Sequence, residues 1–512
     1  MRSNVLKMAL FATGLSGIVA EYILSTLAGY FLGDSVIQFT LIMSVMLFAM
    51  GVGSRLSKFF DKNLLQTFIY IEFALSFLVA FSSLVAYSAA AYTIYTGFLI
   101  YSLSICIGLL IGLEIPLAIR LNEEFEELKV NVASVIEKDY YGSLAGGIFF
   151  AFVGLPILGL TYTPFVLGFV NLSVALVMFF MLLKHLPKIR KILLSSAAVL
   201  ITSSLILGIF IAEPIILHGE QNKYKDKVIY TAQTRYQRII ITQWKNDYWL
   251  YLNGQQQLST LDEIMYHEPL VHPIMNMSAT PYDVLVLGGG DGCAAREILK
   301  YPEVKNITVV DIDSAMTNLA IHNPILTKLN QNSFKNPKVH IINTDGYTFI
   351  ENSTQFFDLI IIDLPDPRTV EMGRLYSTEY YQKCYKLLRP EGLLITQAGS
   401  PYYATQAFKC IDTTLQHAGF GTLPLHNQIL TMGEWGWILA SKKYTSAALK
   451  TIFGQLKIDE AKTTWLNNDA LQMLPKFGKN IYPNSKTDKV EINTLHNPVL
   501  YKYYLNGNWE LY

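Results

Sequence analysis

The hydrophobic rhythm of the chain changes near residue 216. Before it, long apolar runs recur at about 8–31, 36–54, 65–89, 93–118, 142–160, 165–183 and 192–212. Each approaches the roughly 20 residues that a helix needs to cross a hydrocarbon core about 30 Å thick, so the pattern predicts seven membrane spans. Beyond 216 the runs shrink to strand length. β-branched and aromatic residues dominate 226–252, where "KVIYTAQ", "RIIITQW" and "YWLYLNG" predict a small antiparallel sheet. From about 262, the short apolar segments "YDVLVLG", "NITVVDID", "KVHIIN", "FDLIIID" and "GLLITQ" alternate with helix-like stretches. That alternation predicts a doubly wound, mostly parallel α/β sheet of Rossmann-like type. The expected organisation is a transmembrane helical bundle over 1–216, a β-strand subdomain over 217–262, a Rossmann-like domain over 263–442 and a helical extension over 443–512.

Charge sharpens this division. Residues 1–216 carry 12 basic and 12 acidic side chains, and the longer remainder carries 28 of each. The whole is 51% hydrophobic and 16% charged with zero net charge. That excludes a disordered chain, an ordinary water-soluble enzyme, and a nucleic-acid binder that works through a basic surface. Basic residues cluster in alternate connections between the apolar runs: Arg2 and Lys7; Arg55, Lys58 and Lys62; Arg120, Lys129 and Lys138; Lys184, Lys188, Arg190 and Lys191. The positive-inside rule then places the N-terminus in the cytoplasm of a plasma-membrane protein. With seven spans the second half would lie outside; if one apolar stretch does not cross, it would lie in the cytoplasm. The four cysteines show no paired spacing, so no disulfide framework or metal site is expected.

Three acids, Glu21, Glu72 and Glu114, fall inside apolar runs, where they would be protonated, hydrogen-bonded between helices, or part of a polar path for a cation. The 123–127 cluster (Glu-Glu-Phe-Glu-Glu) reads as a solvated loop or short interfacial helix. Gly142, Gly146 and Gly147 read as a close helix contact.

The candidate chemistry sits in the second half. "VLVLGGGDGCAARE" (284–297) runs a buried strand into Gly288, Gly289, Gly290 and Gly292 and then a helix, a turn that lets backbone approach a ligand. Asp311 ends the next strand, where an acid typically holds ribose hydroxyls. Asp291 inside the turn would repel a pyrophosphate but suit a cationic nucleoside such as an S-adenosyl sulfonium compound. Asp345 and Gly346 follow the third strand, where the carboxylate could accept an adenine amino group. Asp363 and Asp366 end the fourth, the edge where such sheets bind ligands. Three acids thus converge on one edge.

These residues resemble the spermidine synthases, the polyamine aminopropyltransferases. The matching segments are Tyr236–Gln237, "LNGQQQLSTLDEIMYHE" (252–268), "GGGDG" (288–292), "VDID" (310–313), "DG" (345–346), "DLPDP" (363–367), "LYSTEYY" (375–381) and "ITQAGSP" (395–401). The N-terminal half, with "GLSGIVAEYILS" and "DYYGSLAGGIFFAFVGLPILGL", resembles the membrane-embedded bacterial branch. The resemblance implies that Gln237, Gly288, Gly290, Asp291, Asp311, Asp345 and Gly346 hold decarboxylated S-adenosylmethionine as co-substrate, with no resident cofactor. It implies that Tyr266, His267, Asp291, Asp366 and Gln397 hold putrescine or a related polyamine, that Asp363 accepts the proton, and that the protein is a homodimer. Its departures are Asp311 where soluble members usually carry Glu, Leu364–Pro365 and Arg368 around Asp366, and no tyrosine just before "EWGWILAS" (434–441). The competing readings are an S-adenosylmethionine-dependent methyltransferase and a membrane polyamine transporter or sensor that uses the domain for binding.

Overall fold

The computed structural model describes residues 2–33, 35–123, 127–182, 187–479 and 489–509. Lys184 and the middle of the 123–127 acidic run lie outside the described residues. Two compact units emerge, Met1–Val228 and Ile229–Tyr512.

The first unit is all helical: α1 (Arg2–Leu32), α2 (Ser35–Leu56), α3 (Leu64–Tyr92), α4 (Thr96–Asn122), α5 (Leu128–Phe149), α6 (Gly159–Leu182) and α7 (Lys188–Lys223). Among the described residues it contains six helical runs long and apolar enough to cross a membrane. One of them, Leu128–Met181, covers both apolar segments expected at 142–160 and 165–183. A π-helical stretch, Phe150–Leu158, joins α5 to α6, and Gly159 breaks the run with φ +64° and ψ −176°, a backbone conformation open essentially only to glycine. The fifth apolar segment was expected to begin at 142, but α5 starts at Leu128, so the polar stretch holding Lys129 and Lys138 is helix rather than loop. Likewise α7 continues past the expected boundary at 216 to Lys223.

Helix α1 runs through the middle of this unit and packs on α2, α3, α4, α5 and α6. Its contact with α5 explains two of the three glycines. A Cβ at Gly142 would lie 2.0 Å from the Phe11 carbonyl oxygen, and one at Gly146 would lie 2.5 Å from that of Leu15. Gly147 meets only the Tyr22 ring, at 3.8 Å. Glu21, Glu72 and Glu114 are all buried among the helices, and Thr13 Oγ1 donates to Glu72 Oε1 at 3.2 Å.

The second unit contains two sheets. The strands β1 (Lys227–Gln233), β2 (Arg238–Trp244), β3 (Asp247–Leu252) and β4 (Gln255–Ser259) form an antiparallel meander in sequence order. Asn253 and Gly254, at φ +51° and +79°, make the two-residue turn between β3 and β4, the dipeptide that tight hairpins favour. The buried face of this sheet, with Ile239, Ile241, Leu250 and Leu258, packs with Cys293, Met316 and Leu319 of the larger domain.

The larger sheet is built from β5 (Asp283–Gly288), β6 (Asn306–Asp311), β7 (Val339–Asn343), β8 (Phe357–Asp363), β9 (Leu388–Gly399), β10 (Gly421–Ile429) and β11 (Gly433–Ser441), in the order β10-β11-β9-β8-β5-β6-β7. Strands β5 to β9 are parallel, whereas β10 and β11 join antiparallel, so the sheet is mixed. Its central strands are continuously apolar because helices cover both faces, giving one core cluster around Val286, Ile361 and Trp437 and another around Leu285, Ile360 and Ile438. The chain order reverses between β5 and β8, which leaves a crevice at their carboxyl ends. Gly288 pairs in register with Asp363 there, and β6 ends alongside at Asp311. Helix α8 (Ile264–Met277) packs on β8, β9 and β11 and brings Tyr266 and His267 to the same edge.

Candidate active site

The backbone is drawn tight at this edge. Gly289 N donates to the Asp363 carbonyl at 3.0 Å. A Cβ at Gly288 would stand 2.0 Å from that oxygen, and Gly288 has φ +84°, so only glycine fits. At Gly290 a Cβ would lie 2.4 Å from Asp311 Oδ2. The glycine turn therefore wraps the Asp311 carboxylate, which also accepts Asp313 N at 2.8 Å. Burial pushes Asp311 up to about 6, against the backbone N–H groups of Asp313 and Gly290.

Asp363 is the centre of the cluster. Tyr266 donates its hydroxyl to Asp363 Oδ1 at 2.7 Å, while His267 Nε2 lies 4.0 Å from both Asp363 Oδ2 and Asp291 Oδ1. Burial raises Asp363 to about 6; Asp291 adds to that rise, and His267 and the Tyr266 hydroxyl oppose it. Burial alone would strip His267 of its proton, but Glu263, hydrogen-bonded to Nδ1 at 2.7 Å, together with Asp291 and Asp363, holds it up at about 9. The imidazolium is therefore present at neutral pH, when Asp363 is largely ionised. Asp291, His267 and Asp363 each bring one polar atom within 4.8 Å of the others.

A second layer holds this arrangement. Arg296 forks onto Glu263 at 2.7 and 3.0 Å and reaches Glu297 at 2.7 Å. Glu297 also meets His272 and Lys300. Burial would raise Glu297, yet the hydrogen bonds from His272 and Lys300 and the charges of Arg296 and Lys300 bring it down to about 2.

The remaining expected residues divide into two groups. On the β6 side, Gln237 Nε2 donates to Asp313 Oδ2 at 2.9 Å, two residues beyond Asp311. Asp345 caps the helix Gly346–Asn352, with Oδ1 accepting Thr348 N at 2.9 Å, while its Oδ2 pairs with Arg374 Nη2 at 2.5 Å. An adenine amino group would therefore share Asp345 with a cap and an ion pair, partners that the sequence reading did not include. On the β9 side, Gln397 Nε2 donates to the Leu364 carbonyl at 2.9 Å, to Tyr376 Oη at 2.8 Å and weakly to Asp366 Oδ1 at 3.4 Å. Asp366 is raised by burial, opposed by Arg368 and by hydrogen bonds from Tyr504 and Gln397.

Comparison with known proteins bears on the family of the chain. The model of the spermine/spermidine synthase domain matches residues 263–451. A polyamine aminopropyltransferase of Leptospira interrogans is 41% identical over 489 residues, covering 95% of both chains. Polyamine aminopropyltransferase 2 of Aquifex aeolicus is 40% identical and covers 98% of both. The chain belongs to the polyamine aminopropyltransferase family. Among solved structures, a spermidine synthase in complex with the transition-state analogue AdoDATO is 27% identical, with a TM-score of 0.44 over 49% of this chain and 86% of that one.

Membership of the aminopropyltransferases over nearly the whole length removes the support for a methyltransferase, and for a transporter or sensor whose enzyme domain only binds. The sequence reading missed Glu263, Tyr376 and Tyr504, and it noted Arg368 without giving it a role. Glu263 stands one helical turn before His267, a spacing at which side chains meet, so it was detectable. Tyr504 was not, because it lies 138 residues from the aspartate it touches.

Proposed function

We propose that this protein transfers the aminopropyl group of decarboxylated S-adenosylmethionine to putrescine or a related diamine, giving spermidine and methylthioadenosine. The observation that carries the reading is the convergence of Asp291, Asp363 and Asp366 on the sheet edge that Gly288–Gly290 and Asp311 shape for a nucleoside. The donor is a sulfonium and the acceptor a protonated amine, so both reactants are cations, and fixed carboxylates stabilise them together.

In this reading Asp311, with Gln237, Asp345 and Gly346, holds the nucleoside, and Asp291 holds the donor's ammonium. Tyr266, His267, Asp366 and Gln397 position the acceptor. Asp363 takes a proton from the acceptor nitrogen as its lone pair attacks the carbon next to sulfur. The carbon–sulfur bond breaks as the carbon–nitrogen bond forms, and neutral methylthioadenosine leaves, so the leaving group needs no proton. Tyr266 holds one Asp363 oxygen by its hydrogen bond, which leaves Oδ2 on the side of His267 and Asp291. Incubation of purified full-length protein with decarboxylated S-adenosylmethionine and putrescine should yield spermidine and methylthioadenosine in equal amounts by mass spectrometry. Donor consumption without spermidine would overturn the reading.

We also propose that residues 1–216 anchor the protein in the plasma membrane as a multi-pass bundle, with lipid as its partner, and that the enzyme works as a homodimer. Six apolar helical runs and basic residues in alternate connections support the bundle. A straight 54-residue helix would be about 80 Å long, far beyond a core of about 30 Å, so the break at Gly159 favours counting Leu128–Met181 as two passes. With seven passes and a cytoplasmic N-terminus, the catalytic domain is extracytoplasmic, although its donor is made inside. Single cysteines at Lys62 and Asn222, probed with an impermeant thiol reagent in intact cells, should show only the second labelled. Labelling of neither site at Asn222 nor at Lys62 before permeabilisation would place the domain in the cytoplasm.

A further inference from the structure

The C-terminal extension reaches the candidate active site. Tyr504, on the short helix Leu500–Leu505, is buried and donates its hydroxyl to Asp366 Oδ2 at 2.5 Å. Its ring lies over the end of β9: a Cβ at Gly399 would meet Tyr504 Cε2 at 3.5 Å and Asp366 Oδ1 at 3.9 Å. Trp509 folds back on it, with ring centroids 4.6 Å apart and Nε1 donating to the Tyr504 carbonyl at 2.7 Å. The Arg368 guanidinium lies 5.2 Å from the centroid of the Tyr504 ring and 5.8 Å from that of Trp509, and its Nη2 reaches Tyr504 Oη at 3.4 Å. Arg368 Nε is buried without a hydrogen-bond partner among the described residues.

We propose that this extension completes the acceptor site: Tyr504 is a positioning residue for Asp366, and Arg368, pinned by Tyr504 and Trp509, selects diamines over longer polyamines. The inference rests on the aminopropyl-transfer reading. An ionised carboxylate can accept about four hydrogen bonds, so Asp366 keeps capacity for the acceptor's distal ammonium while Tyr504 fixes its rotamer. A diamine brings one ammonium to Asp366 and one nitrogen to Asp363. A triamine brings another positive charge to the same end, where it meets the fixed guanidinium beside Asp366. Two like charges confined a few ångströms apart in a partly buried site cost enough to lower binding by tenfold or more.

The test uses full-length protein in detergent with putrescine and spermidine as acceptors. Tyr504→Phe should raise the putrescine KM on the order of tenfold, with the donor KM and kcat little changed. Arg368→Gln should raise the ratio of kcat/KM for spermidine over putrescine on the order of tenfold, whereas Arg368→Lys, which keeps the charge, should stay near the parent ratio. An acceptor KM within twofold of the parent in Tyr504→Phe, or an unchanged ratio in Arg368→Gln, overturns the inference while leaving the transfer reading intact. Failure of the unaltered protein to aminopropylate either amine defeats both.

Discussion

Asp363→Asn should lower kcat by about 10²–10⁴-fold, the usual contribution of a positioned general base, without lowering the melting temperature. Asparagine can still accept the Tyr266 hydroxyl but cannot take a proton from the acceptor amine. The stability half of the expectation follows from sign. Asp363 is held at about 6 in the folded protein against an ordinary 3.8, so the folded state binds its proton more tightly than the unfolded chain. Its contribution to stability therefore falls as pH rises from about 4 to 6, and at neutral pH the ionised side chain is a net cost of folding. A buried charge retained at such a cost is what a functional carboxylate is expected to show. The same value gives the pH profile. In the parent, kcat/KM should fall about tenfold per pH unit below about 6 as Asp363 protonates, and that limb should vanish in Asp363→Asn. His267 has the same sign over a higher pH window. Its folded value, about 9 against 6.5, gives stabilisation that is full below about 6.5 and lost as pH rises through 9. Stopped assays across pH 5–10 with parallel melting curves check both halves. A variant that retains kcat, or melts several degrees lower, would show that Asp363 holds the fold rather than the chemistry.

The site was legible where chemistry coincides with a local pattern. Asp311 and Asp363 each end a continuous apolar run, and in a parallel sheet those ends share one edge, so periodicity alone brought them together with Gly288. Tyr266 and His267 came from the motif rather than the pattern, since nothing in "IMYHEP" says which face of the helix meets the sheet. Contacts set by tertiary folding were hidden. Arg374 lies 29 residues from Asp345 and Tyr504 lies 138 from Asp366, paths that no local signal describes. In the helical half, hydropathy located the apolar runs but misplaced the start of α5. The 128–141 stretch mixes Lys129, Glu137, Lys138 and Asp139 with apolar residues, and a window average reads such a mixed helix as a loop. Only its contact with α1 through Gly142 and Gly146 shows why it is ordered.

Glu268→Ala should destabilise the domain by about 3 kcal/mol or more, the largest stability effect expected outside the apolar core. Glu268 sits next to His267 on α8. Its side chain is taken up by backbone contacts. It is fully buried and accepts three backbone N–H groups, from Thr464 at 2.6 Å, Trp465 at 2.9 Å and Leu466 at 2.6 Å. Those donors belong to the segment after the last strand, which no strand or helix otherwise satisfies at this point, so the carboxylate docks that segment onto α8. Alanine would leave three donors without an acceptor and open a cavity, and unsatisfied buried polar groups cost about 1–3 kcal/mol each. Glutamine keeps one accepting oxygen but turns an amide N–H₂ toward a donor, so its loss should fall between parent and alanine. For a domain of this size the alanine variant should melt roughly 6–12 °C lower, followed by tryptophan fluorescence of the full-length protein in detergent. Below its melting temperature the folded enzyme should keep the parent pH profile, because Tyr266, His267 and Asp363 retain their partners. An unchanged melting temperature with a large loss of kcat would reverse the assignment and make Glu268 part of the chemistry.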